Sequence, residues 1–251
     1  MSATHPEVHA GDRTVGQLVA ETIRLYGRRF FSSLSLGAVV ATFNQFAIGQ
    51  ETEIQATLLV LAAPAFTLAY IGACALASGT RPARRAFLSA FALGVVVFLP
   101  VGLLVWIFVL PALAWLAYAG LSVPAALLER RGIREALRQS GRLAGADYVH
   151  ALGSLATLVI LYFVSRSALL LLLHGQADTT LRTGAFLADL VLSPLLFLGS
   201  ALLYFDQKAR LESGSPRQRR RDARLHHADE SDRAGRPDAE VEPGPAARSE
   251  S

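Results

Sequence analysis

The sequence predicts an all-α, polytopic membrane protein: six transmembrane helices with cytoplasmic interfacial amphipathic helices and a disordered C-terminal tail. Three observations carry this. Residues 30–205 fall into runs of about twenty residues with almost no charge, the length that crosses a hydrocarbon core. Arginines occupy alternate gaps between the runs, as the cytoplasmic bias of Lys and Arg requires. Composition breaks once, near Asp206, where Arg, Asp, Glu, Gly, Pro and Ser replace the apolar pattern. The expected organisation is a disordered N-terminus at 1–13, a six-helix membrane domain at 14–206 and a disordered cytoplasmic tail at 207–251. Hydrophobic residues make up 52% of the chain even with that polar tail included, so the membrane part is more apolar still.

Residues 1–29 lack the short apolar core and small-residue cleavage pattern of a secretory signal, so the run from Phe30 is expected to remain as the first span. Thr14 and Gln17 form a T-x-x-Q capping box, and a helix should begin there. Val15, Leu18, Val19, Thr22, Ile23 and Tyr26 then share one face, opposite Gln17, Glu21, Arg24 and Arg28. That pattern fits a helix lying in the membrane interface or one packed on the cytoplasmic face of the bundle.

Span one is expected at 30–49, with Asn44 and Gln45 near its far end, within reach of interfacial water. Span two is expected at 56–78, where Ala65, Ala69, Ala73 and Ala77 form a stripe suited to close internal helix packing. Residues 87–128 carry no charge for about forty residues, about 60 Å as helix and twice the hydrocarbon thickness. Two spans joined by a turn at Leu110 and Pro111, between Trp106 and Trp115, account for this; one span plus a re-entrant segment is the alternative. Spans five and six are expected at 148–173 and 183–205. Pro64, Pro100 and Pro194 should bend or break spans two, three and six.

Orientation follows from the gaps. Arg13, Arg24, Arg28 and Arg29 precede span one; Arg81, Arg84 and Arg85 follow span two; Arg130, Arg131, Arg134, Arg138 and Arg142 follow span four. The other loops carry Glu51 and Glu53, then Asp178 and Arg182, so both termini are expected in the cytoplasm. A single Lys, Lys208, among 24 basic residues indicates a high-GC bacterial source, hence a bacterial plasma membrane. Arg28, Arg29, Arg84, Arg85, Arg138 and Arg142 are the basic residues expected to face anionic lipid headgroups. The tail extends this set with Arg219, Arg220 and Arg221, inside a stretch at 207–224 of seven basic and two acidic residues. Residues 225–251 reverse the balance, with three basic and seven acidic. Membrane lipids, or a membrane-protein partner, are thus the expected partners; the pI near 9.6 is explained by topology, and nucleic acid is not implied.

Residues 133–146 continue the theme. Ile133, Leu137 and Ala144 oppose Arg134, Arg138 and Arg142, as in a second cytoplasmic amphipathic helix. ETIRLYGR from Glu21 aligns with EALRQSGR from Glu135 at Glu, Arg, Gly and Arg, which suits a repeat of interfacial helix and helical hairpin. The pattern of Pro124, Glu129, Gly132, Ala136, Leu137, Arg138, Ser140, Arg142, Leu143 and Gly145 resembles a stretch of the membrane domain attached to some glycerophosphoryl diester phosphodiesterases and found alone in many bacterial membrane proteins. ETIRLYGRRF and LLYFDQKAR are similar to that family's opening and closing segments, and Gly141 stands where the family usually has an aromatic residue. The resemblance covers residues 12–212. The phosphodiesterase activity it brings to mind resides in a separate soluble barrel with paired histidines and metal-binding carboxylates, which this chain lacks, so no catalytic residue carries over.

No HExxH, GxxxxGK[ST], GxSxG or CxxC motif is present, and the chain is expected to be non-catalytic, without metal or cofactor. Cys74 is alone, so no intrachain disulfide can form. His5, His9, His226 and His227 fall in polar termini, and His150 and His174 near opposite ends of span five, where an interfacial location explains them. Arg166 is the exception to the charge pattern. A charge in mid-span costs about 2.5 to 3.5 kcal/mol and needs a partner. Asp189 lies at the same depth, seven or eight residues from the outer end of its span, and no further ionisable group shares that depth. The pair is expected either to fix helix register or to line a polar cavity. Two functions follow: a non-catalytic membrane module organising lipids or partner proteins, or a transporter or permease-like protein with a polar site at Arg166 and Asp189.

Overall fold

Helix α1 (Val15–Arg28) starts at its capping box: Thr14 N–H donates to Gln17 Oε1 at 2.8 Å, and Gln17 N–H donates to Thr14 Oγ1 at 3.3 Å. The computed structural model describes residues 13–212, all helices and connectors, with no strand among them. After α1 come α2 (Phe30–Ala47), α3 (Thr52–Leu61), α4 (Ala63–Ser78), α5 (Arg84–Ile107), α6 (Val109–Ala119) and α7 (Ser122–Leu128). Helices α8 (Ile133–Ala146), α9 (Tyr148–Leu172) and α10 (Asp178–Glu212) complete the order. Five segments are long and apolar enough to cross a bilayer: Phe30–Ala47, Arg84–Val105, Val109–Leu128, Tyr148–Leu172 and Asp178–Glu212. Helices α3 and α4, bent by 47° where they join, make a sixth if taken as one span.

The breaks have local causes. Span two is interrupted at Ala62, two residues before Pro64, whose missing N–H suits the first turn of a new helix. Pro100 and Pro194, by contrast, sit inside helices that continue past them. The turn between spans three and four falls at Phe108, which is extended (φ −171°, ψ 148°), rather than at Leu110 and Pro111; Pro111 lies in the first turn of α6. The chain then doubles back, and Trp115 Nε1 donates to the Val97 carbonyl at 2.9 Å across the hairpin.

Two other boundaries differ from expectation. Helix α10 runs past the expected end of span six at 205, as far as Glu212, because Gln207 is fully buried and Lys208 and Arg210 have acidic partners. Arg13 is ordered by an ion pair with Glu21 at 2.9 Å. Disorder expected over 1–12 and 213–251 falls outside the described residues. In α8 the buried face is Ala136, Gln139, Ser140, Leu143 and Ala144, while Ile133 and Leu137 are exposed along its edge. Tyr118 crosses α8 where Gly141 leaves room: a Cβ there would meet the Tyr118 hydroxyl at 3.2 Å. Helix α1 buries Leu18 and Thr22 against α10 and α9 and leaves Ile23 exposed, so it is packed on the bundle.

Neighbouring helices close a ring in the order α2, α4, α5, α6, α9, α10 and back to α2, with α10 also touching α4. Ala69 and Ala73 of the α4 stripe are buried inside it. One close approach in the ring is backbone to backbone. A Cβ on Gly37 of α2 would stand 2.0 Å from the Leu190 carbonyl oxygen of α10 and 3.0 Å from Pro194 Cδ. Gly37→Ala should therefore destabilise by about 1–3 kcal/mol, since backbone must move to admit the methyl. Gly153→Ala, where a Cβ meets nothing within 4 Å, should be neutral or stabilising by up to about 1 kcal/mol through helix propensity. Thermal unfolding in detergent measures both; equal effects would contradict the close approach.

Candidate functional site

Charged and polar side chains gather at the two ends of the bundle. At the end away from the arginine clusters, Asp189 of α10 is completely buried. Arg166 Nε donates to its Oδ1 at 2.7 Å, and Arg166 Nη2 reaches Oδ2 at 3.5 Å. The Tyr162 hydroxyl donates to Oδ1 at 2.6 Å, and Asn44 Nδ2 donates to Oδ2 at 2.7 Å. Tyr162 and Arg166 are four residues apart, so they share one face of α9, while Asn44 comes from the end of α2. These donors occupy the roughly four acceptor sites of a carboxylate, leaving none for a guest. Asn44 is therefore a ligand of the buried carboxylate, not a side chain reaching for water. Gln45 donates to the Arg182 carbonyl at 2.9 Å.

The other end was less visible in the sequence, apart from the motif LLYFDQKAR. Here α10 makes a separate contact with nearly every surrounding segment. The Tyr204 hydroxyl donates to Glu129 Oε1 at 2.7 Å, and Lys208 Nζ lies 2.9 Å from the same oxygen. Arg131 Nε holds Glu129 Oε2 at 2.5 Å. Asp206, fully buried, receives Arg210 Nε at 2.8 Å and lies 3.0 Å from His150 Nε2. Arg210 also reaches Asp147 at 3.2 Å and the Arg13 carbonyl at 2.5 Å. His150 thus packs against an acid instead of simply marking an interface; His174 is exposed. Burial alone raises the Glu129 carboxyl, but Lys208, Tyr204 and Arg131 outweigh it and hold it below the usual range.

Around this end Arg28, Arg29, Arg84, Arg85, Arg138 and Arg142 are all exposed, and none forms an ion pair among the described residues. Arg219, Arg220 and Arg221 lie outside the described residues. Exposed Ile133 and Leu137 border Arg134 and Arg138 on α8. Among the described residues no cluster of His, Cys, Asp and Glu has the arrangement of a metal site. Within the ring is an apolar cavity of about 370 Å³, and neither Arg166 nor Asp189 lines it. Comparison with family models, curated proteins and solved structures found no match.

Asp189→Ala leaves the Arg166 guanidinium without its counter-charge and should cost about 3–5 kcal/mol. Arg166→Ala should cost less, because Tyr162 and Asn44 still serve the carboxylate. The double variant should lose clearly less than the sum, and strict additivity in unfolding free energies would show no coupling between the two groups. The Glu129 cluster gives a pH signature. Its lowered carboxyl contributes stability that is complete above the ordinary Glu pKa and is lost as pH falls through the folded-state value. Melting curves of wild type and Glu129→Gln between about pH 7 and pH 3 should differ most at neutral pH and converge in acid.

Proposed function

We propose that the chain is a multi-pass protein of a bacterial plasma membrane, with six spans and both termini in the cytoplasm, acting as a non-catalytic module that organises anionic lipid. The observation that carries this reading is the contrast between its charges. Asp189, sealed in the bundle, is met by donors from α2 and α9, and Asp206 by His150 of α9 and Arg210 of its own helix. The exposed Arg28, Arg29, Arg84, Arg85, Arg138 and Arg142 form no ion pair among the described residues, and a basic side chain near an anionic surface contributes about 1 kcal/mol. Exposed apolar residues beside them on α8 suit the boundary between headgroups and acyl chains. The filled acceptor sites of Asp189 favour this reading over a permease that uses Arg166 and Asp189 as a substrate site.

Two measurements test it. In a cysteine-free background made with Cys74→Ser, Thr80→Cys should react with an impermeant maleimide only after the cells are permeabilised, and Gln50→Cys should react in intact cells. The reverse pattern would overturn the orientation. Protein extracted with its native lipids into polymer discs should be enriched in anionic lipid. Arg134→Gln, Arg138→Gln and Arg142→Gln combined should lower that enrichment severalfold without lowering the melting temperature; unchanged enrichment would count against lipid organisation at this face.

A further inference from the structure

We propose that the cavity inside the helical ring is a binding site for one hydrocarbon chain of a membrane lipid, a proposal that rests on the membrane-spanning reading above. Its volume of about 370 Å³ is more than twice that of an apolar cavity of about 150 Å³ that stays dry and binds benzene. It also falls within the range of about 300–1,000 Å³ typical of ligand pockets. Every expected span contributes to the wall, through residues such as Phe43, Leu59, Phe98, Leu113, Leu158 and Phe197. Tyr70 and Ser200 alone bring polar side chains, and Ser200 Oγ is spent on the Leu196 carbonyl of its own helix at 2.7 Å. Such a wall offers water almost no hydrogen bonds, so an apolar guest is favoured over a hydrated one.

Shape and access narrow the guest to a chain. Lining residues run from Leu113 to Leu121 beside and beyond α6 and from Leu196 to Leu203 on α10. At the helical rise these stretches are about 12 Å and about 10 Å long. Val105 belongs to the wall and is also 41% exposed. Leu103, Phe108, Val109 and Leu110, close to it in sequence, are exposed as well. In a bilayer the exposed apolar faces of the spans, Leu103 among them, meet acyl chains, which makes lipid the apolar material nearest the cavity. Helix α3, which supplies Leu59, has no buried residue of its own, and it meets α5 where Gly102 allows approach: a Cβ there would lie 3.3 Å from Leu59 Cγ. The wall on that side is therefore thin, and the rest of the ring is closed by packed helices.

Photolabelling of the full chain tests the site. The protein is reconstituted in discs of phosphatidylglycerol and phosphatidylcholine carrying a diazirine midway along one acyl chain, and adducts are mapped by mass spectrometry. Adducts are expected on inward residues such as Leu113, Leu158 and Phe197, as well as on the outward Val164, which reports ordinary contact with the bilayer. Ser200→Leu and Leu113→Trp, which fill the cavity from α10 and α6, should each lower labelling of the inward residues at least five-fold and leave Val164 labelling unchanged. The two substitutions add comparable bulk on different helices, so loss of fold in one variant leaves the other as the test. Labelling of Val164 without the inward residues in wild type, or inward labelling that persists in both filled variants, overturns the site but keeps the membrane reading. Absence of labelling at Val164 as well overturns both.

Discussion

Two carboxylates sealed from solvent on one helix govern the arrangement of the others. Asp189 and Asp206 are both fully buried on α10, seventeen residues apart and so about 25 Å along its axis. A buried carboxylate is tolerated only when donors converge on it, and here those donors arrive on different helices. Asp189 draws α2 and α9 to one end; Asp206 draws α9, while its partner Arg210 reaches back to Asp147 and Arg13. Apolar side chains give little preference for one helix orientation over another when the solvent is itself hydrocarbon. Two fixed points on α10 supply that preference, setting its rotation and its depth relative to the ring.

The two ends are not equally satisfied. Around Asp189 both carboxylate oxygens are engaged. Toward the arginine end, Asp206 Oδ1, Gln207 Oε1, Ser33 Oγ, Ser154 Oγ and the Tyr26 hydroxyl are buried without a partner among the described residues. Each such group costs about 1–3 kcal/mol unless water reaches it. One end of the bundle is thus locked by saturated bonds, and the other has acceptors in reserve beside its exposed arginines.

How much of this is legible in the sequence depends on whether a feature is local. The capping box of α1 involves residues three apart and needs no knowledge of the fold. Counting inward puts Arg166 and Asp189 at one depth because a helix converts residue number into height at a fixed rise. Rotation is different: which face of α2 turns toward α10 depends on packing, so Asn44 gave no sign of meeting Asp189. His150 and Asp206 share a level by the same counting, yet their positions at the ends of apolar runs disguised them as interfacial residues. The break in span two sits beside Pro64, which marks it in the sequence, whereas the turn at Phe108 falls two residues before Leu110. That turn lies in nearly featureless apolar sequence, where the difference between continuing and interrupting a helix is small. On α8, Ile133 and Leu137 fit the apolar side of the helical wheel, but the bundle uses the smaller Ala136 and Ser140 instead, since small side chains allow closer packing.

The meeting of Gly37 with Leu190 does more than bring two helices close. Pro194 has no N–H, so the carbonyl four residues before it, that of Leu190, loses its usual helical hydrogen bond. The hydrogen that Gly37 carries in place of a side chain points at that oxygen, a Cα–H···O contact of modest strength. The defect that proline leaves in one helix is thereby answered by the backbone of another. Sliding α2 along α10 by even one residue strands a carbonyl in an apolar medium, so the alignment of these helices is written in main-chain atoms and is indifferent to which apolar side chains surround it.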